Sequence, residues 1–125
     1  MSTTDMATWN LALRFGLELA AFTGLAMAAW ELNSGNLRWV AAIVVPVVAA
    51  TIWGVFNVLN DPSRSGAAPV EVNGWTRLAI ELAILGSGAA AFAIAQRPTI
   101  ALIVALLILT QYATSSSRIE WLVQA

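Results

Sequence analysis

Four apolar runs, at approximately 11–31, 38–59, 75–96 and 98–116, take up most of the chain. Each is about twenty residues long, enough as a helix to cross a hydrocarbon core of about 30 Å. In lipid the backbone must satisfy its own polar groups, so continuous runs of this length are confined to helices. The breaks have turn chemistry. "ELNSGN" (31–36) carries Asn, Ser and Gly, "NDPSRSGAAPVEVNG" (60–74) carries two prolines and two glycines, and "AQRP" (95–98) is a polar corner whose proline opens the next helix. The expected fold is therefore all-α: a four-transmembrane-helix bundle of two helical hairpins, one integral membrane domain over 1–125 with a linker at 60–74. Pro46 inside the second run predicts a kink. Thr110, Gln111, Tyr112 and "TSSSR" (114–118) interrupt the fourth, whose cytosolic end is expected to fray.

Composition supports the membrane reading. A soluble chain of 125 residues leaves roughly a third of its unfolded surface exposed, which does not suit 59% hydrophobic and 10% charged residues. Cysteine and histidine are absent, removing disulfides, thiol chemistry, Cys or His metal sites and haem ligation by His. Every cation is an arginine, so Schiff-base chemistry is excluded as well. No cofactor is expected, and carboxylates are the only acids or bases near neutral pH. A net charge of −1 argues against a nucleic-acid partner. The start "MSTTDMATWN" lacks a basic n-region, and although "AMAA" (26–29) imitates a cleavage site, the first run is read as a permanent helix. With the N-terminus inside, Arg14, Arg64, Arg77 and Arg118 lie on the inner side against Arg38 and Arg97 outside. The positive-inside rule then gives a multi-pass protein of the cell inner (plasma) membrane with both termini cytoplasmic. Trp9, Trp30, Trp39, Trp75 and Trp121 fall near span ends, where an aromatic belt is expected.

The charges inside the apolar runs are the informative exceptions. "LRFGLELA" (13–20) and "TRLAIELA" (76–83) each place an arginine four residues before a glutamate, and a shift of 63 positions superimposes Arg14 on Arg77 and Glu18 on Glu81. The halves read as an internal repeat, related by an axis along the membrane normal. At about 1.5 Å of rise per residue, Glu18 and Glu81 each lie roughly 10 Å below the same surface. Counting back along the antiparallel spans puts Trp53 and the pair Gln111 and Tyr112 at that level, with Arg14 and Arg77 a turn nearer the cytosol. Ionisable residues in a membrane generally face the bundle interior and pair. Each arginine can reach its own glutamate or that of the other repeat. Small residues four apart, at Ala20, Gly24 and Ala28, Gly86 and Ala90, and Ala101 and Ala105, are expected to form the helix contacts.

"LRFGLELAA", "LRWVAAIVVPVVAATIWGVF" and "RLAIELAILGSGAAAFA", in this order, resemble the YrdB-like family of small four-helix bacterial membrane proteins, a domain of unknown function. The resemblance runs from about residue 10 to residue 112 and is carried by Arg14, Glu18, Pro46, Trp53, Gly54 and Glu81. It implies the architecture and no reaction. The chain departs from it in the fourth helix, where Gln111, Tyr112 and "ATSSS" stand in place of an asparagine and a run of leucines.

Three functions stay open. The first is binding of a small lipophilic ligand or ion by a layer of Arg14, Glu18, Trp53, Arg77, Glu81, Gln111 and Tyr112, with transport needing a homodimer. The second is an intramembrane enzyme with Glu18 and Glu81 as general acid and base on a lipophilic substrate. The third is a structural or accessory subunit in which the ion pairs only fix the bundle's register. No metal is expected, because the arginines already neutralise both acids. An open cavity at the glutamates would favour the first two, closed arginine–carboxylate contacts the third.

Overall fold

A computed structural model of the chain describes residues 7–63 and 67–125. Residues 1–6 and Arg64, used above for the chain start and for orientation, lie outside the described residues. The described chain is all-helical apart from one short strand pair. Helix α1 spans Thr8–Glu31, α2 Gly35–Val55, α3 Gly74–Ile94, α4 Pro98–Ala113 and α5 Ser116–Val123. Strands β1 (Phe56–Asn57) and β2 (Val70–Glu71) pair in parallel and tie the start of the linker to its end. The sequence expects α2 to run to 59, but the chain leaves the helix at Phe56, whose φ of −90° and ψ of 93° are extended. Helix α2 continues through Pro46.

Local chemistry explains where the elements start and stop. Asn73 caps α3 by accepting the backbone N–H of Thr76 at 2.8 Å. Gln96, with φ of 63°, takes the left-handed conformation that ends a helix, and Pro98 then opens α4. Three helices, α1, α2 and α3, are long and apolar enough to cross a membrane, and the count reaches four if α4 and α5 together are one broken span. At 16 residues α4 is only about 24 Å long. The chain then bends by 71° into α5. Fraying was expected here; instead α5 folds back under the bundle with Arg118 and Leu122 buried, and Leu122 packs directly on Gly74 at the start of α3, where a side chain would collide with its carbonyl.

Helix α1 is the centre of the packing, against α3 and α2. The core joins Leu17 and Ala21 of α1, Trp53 of α2, Ile84, Leu85, Ala89 and Phe92 of α3, and Val104 of α4. The outward faces of α2 and α4 carry exposed Ile43, Val47, Leu102 and Leu109, an apolar surface suited to lipid. Gly24 and Ala28 are buried in α1 as expected, but on α3 the small-residue contact is shifted. Gly86 has open space beside it and Ala90 is exposed, whereas Gly88 meets Ala21 and Gly24 meets the Gly88 carbonyl.

Candidate functional site: a buried arginine–carboxylate cluster

At one end of the bundle α1 and α3 begin, α2 and α4 finish, and α5 crosses beneath. Arg14 and Glu81 are carried there on the facing sides of α1 and α3, and Glu81 is fully buried. Its Oε1 accepts Tyr112 Oη at 2.7 Å and Arg118 Nη1 at 3.0 Å. Its Oε2 accepts Arg77 Nε at 2.8 Å and Arg118 Nη2 at 2.7 Å, and lies 2.6 Å from Arg14 Nη2. One carboxylate thus gathers three guanidinium groups and a phenol. Removing a charge from water is tolerable only when pairing and hydrogen bonds replace hydration, and both Glu81 oxygens are supplied.

Each arginine has a second task. Arg77 Nη1 donates to the carbonyls of Trp53, at 2.6 Å, and Phe56, at 2.9 Å, where α2 ends and its last carbonyls lack helical partners. The Arg77 guanidinium lies 4.7 Å from the centre of the Trp53 ring and that of Arg14 5.2 Å, so one indole faces two cations. The indole N–H donates to Oε1 of half-buried Glu18 at 2.8 Å. Arg118 extends the cluster to the linker, donating from Nε to Asp61 Oδ1 at 3.0 Å and from Nη2 to Oδ2 at 2.7 Å. Three guanidiniums therefore stand against three carboxylates, Glu18, Asp61 and Glu81.

Burial alone would push the Asp61 carboxyl up, but Arg118, together with the Ser63 N–H and hydroxyl, outweighs it and holds the group below its ordinary value. A depressed folded-state value contributes stability that is complete above the unfolded value, about 3.9, and is lost as pH falls through the lower folded one. Acidification through that window is expected to lower the unfolding temperature of the wild type. Asp61→Asn is expected to be less stable at pH 7 and to have a shallower acid limb, measured by thermal unfolding in detergent; equal slopes would refute the assignment.

Gln111 lies in a neighbouring polar contact. Its Nε2 donates to Asn10 Oδ1 at 2.9 Å, and Asn10 Nδ2 donates to Thr114 Oγ1 at 2.7 Å. Among the described residues, Gln111 Oε1 and Arg14 Nε and Nη1 are buried without a hydrogen-bond partner. An unmet buried polar group costs about 1–3 kcal/mol. Clefts of about 500, 360 and 300 Å³ open elsewhere, the largest lined by Val58, Leu59, Glu71, Val72, Asn73 and Ala125.

Of the residues expected from the sequence, Arg14, Trp53, Arg77, Glu81 and Tyr112 meet directly, Glu18 joins through Trp53, and Gln111 stands beside them on Asn10. The two Arg/Glu motifs are unequal: Glu81 is enclosed, whereas Glu18 sits at the rim. Sequence reasoning missed Arg118, Asp61 and Asn10. The available signal for Arg118 was Leu122 four residues on, which gives the tail one buried helical face.

These features define the class: an all-helical protein with helices apolar enough for a membrane and a buried arginine–carboxylate cluster at one end. The chain belongs to the family described as "Protein of unknown function (DUF2568)", whose model matches residues 12–109. It is 41% identical over 113 residues to a Bacillus subtilis (strain 168) protein named "Uncharacterized protein YrdB", covering 90% of this chain and 92% of that relative. No solved structure matches it.

Proposed function

We propose that the chain is a four-span protein of the inner (plasma) membrane, built from two repeated hairpins with both termini cytoplasmic, and that its polar layer binds a small lipophilic molecule. Glu81 is the fixed centre that holds the arginines, and Arg14 supplies the binding group. The supporting observation is that Arg14 is 2% exposed while its Nε and Nη1 have no hydrogen-bond partner among the described residues. Both Glu81 oxygens are occupied, which does not suit a general base that needs an open lone pair near its substrate; that leaves Glu18 as the carboxylate for an enzymatic reading. Passage of a solute would require a second copy, since four helices enclose little space.

Closure of Glu81, with the clefts lying elsewhere, favours a second reading, an accessory subunit in which the cluster serves only assembly. Solvent extraction and mass spectrometry of purified protein separate the two. Wild type is expected to carry a lipophilic molecule that is depleted at least tenfold in a monodisperse Arg14→Leu variant. Because removing one partner of a buried charge pair is destabilising, equal extracts together with lowered stability of Arg14→Leu would instead establish the assembly role.

A further inference from the structure

The groups left unmet around Arg14 specify the chemistry of what fills the site. Thr114 Oγ1 donates to the carbonyl of Thr110 at 2.7 Å, so it faces Asn10 as an acceptor. That fixes the Asn10 amide: Nδ2 points to Thr114 and Oδ1 to α4, where it receives Gln111 Nε2. The Gln111 amide is thereby fixed as well, and Oε1 is its unpaired end. Asn10 and Arg14 are one turn apart on the same face of α1, about 6 Å along its axis. Tyr112, next to Gln111, donates to the carboxylate that Arg14 touches. The unmet acceptor on α4 thus belongs to Gln111, which bonds Asn10, and the unmet donors on α1 to Arg14, one turn from Asn10. Both side chains are at least 98% buried.

Charge decides what can enter. Three guanidiniums already balance three carboxylates, so an added carboxylate, phosphate or ammonium would bring an uncompensated charge into a dehydrated site. We propose that the polar end of the bound molecule is uncharged and both accepts and donates, a hydroxyl or primary amide on an apolar chain, held by Arg14 Nε and Nη1 and by Gln111 Oε1. This rests on the binding role proposed above.

Trp53 offers a reporter, because its ring is 5.2 Å from the Arg14 guanidinium. With the other five tryptophans changed to phenylalanine, protein in phosphatidylcholine nanodiscs is titrated with 1-dodecanol, dodecanamide, dodecanoate and dodecylamine. The alcohol and the amide are expected to change Trp53 emission saturably, at least tenfold more tightly than either charged amphiphile. Arg14→Leu and Gln111→Met are each expected to weaken them at least tenfold. Tighter Arg14-dependent binding of dodecanoate or dodecylamine would overturn this chemistry and leave the binding role standing. Absence of Arg14-dependent binding by all four, as when water alone fills the site, would remove both. Should Gln111→Met not fold, the ranking of head groups on the parent protein still decides.

Discussion

Glu81→Ala is expected to be the most damaging single substitution in the chain, costing about 3–5 kcal/mol, the range for removing one partner of a buried charge pair. The reason is the arrangement around it. Arg14, Arg77 and Arg118 converge on this carboxylate from α1, α3 and α5, and each is at most 2% exposed. Without it Arg118 keeps Asp61, and Arg77 keeps the carbonyls at the end of α2, but the end of the bundle holds three cations against two carboxylates in a site with little water. Against a total stability of about 5–15 kcal/mol, such a loss should appear as a large drop in the unfolding midpoint and in the amount of monodisperse protein. Glu81→Gln, which keeps an acceptor for Tyr112 or Arg118, should fall between alanine and wild type. Glu18→Ala, at the rim, should cost clearly less than Glu81→Ala. If the two alanine variants lose equal stability, the central place given to Glu81 is wrong.

That inequality was beyond the sequence. Rise per residue predicts a common level for Glu18, Glu81, Trp53 and Tyr112, and the structure pairs Trp53 with Glu18 and Tyr112 with Glu81 by hydrogen bonds. Depth does not fix azimuth, however, so two motifs alike in sequence could be enclosed to different degrees. Here Arg14 turns to Glu81 on α3, a choice set by how closely α1 and α3 approach. Hydropathy located the first three helices to within a few residues, because burying a backbone in lipid leaves little choice but a helix. It overran α2, since "FNVL" is apolar whether helical or extended, and the pairing of Phe56 with Val70 depends on a segment fourteen residues away. Arg118 was read only as an orientation charge, and its segment as a fraying end. Averaged over a window, "TSSSRIEWLVQA" is a polar tail; only its one buried face, Arg118 and Leu122, reveals a helix docked under the cluster.

The approach of α1 to α3 leads to the second large effect, expected for Gly88→Leu. A Cβ on Gly88 would lie 2.5 Å from Ala21 Cα and 2.7 Å from its Cβ, and the facing Gly24 is equally tight against the Gly88 carbonyl, 2.6 Å from its own Cβ position. The obstacle is backbone, which cannot rotate aside as a side chain does. Overpacking commonly costs about 1–3 kcal/mol, and the upper end is expected here. In lipid, helices are held by close van der Waals contact without a hydrophobic drive to restore them once apart. Arg14 is seven residues before Ala21 and Glu81 seven before Gly88, two turns down the same seam on either side. Spreading the crossing should therefore lengthen the 2.6 Å Arg14–Glu81 contact as well. The control is Gly86→Leu, whose Cβ would meet nothing within 4 Å; it should be neutral, or stabilising by up to about 1 kcal/mol, because glycine is a poor helix former. Unfolding midpoints of the two variants decide the matter, and similar values would mean that the α1–α3 crossing does not set the geometry of the cluster. A double-mutant cycle with Arg14→Leu adds the link to the site: if Gly88→Leu acts partly by pulling Arg14 from Glu81, the two costs should be non-additive by more than the roughly 0.5 kcal/mol seen for independent positions.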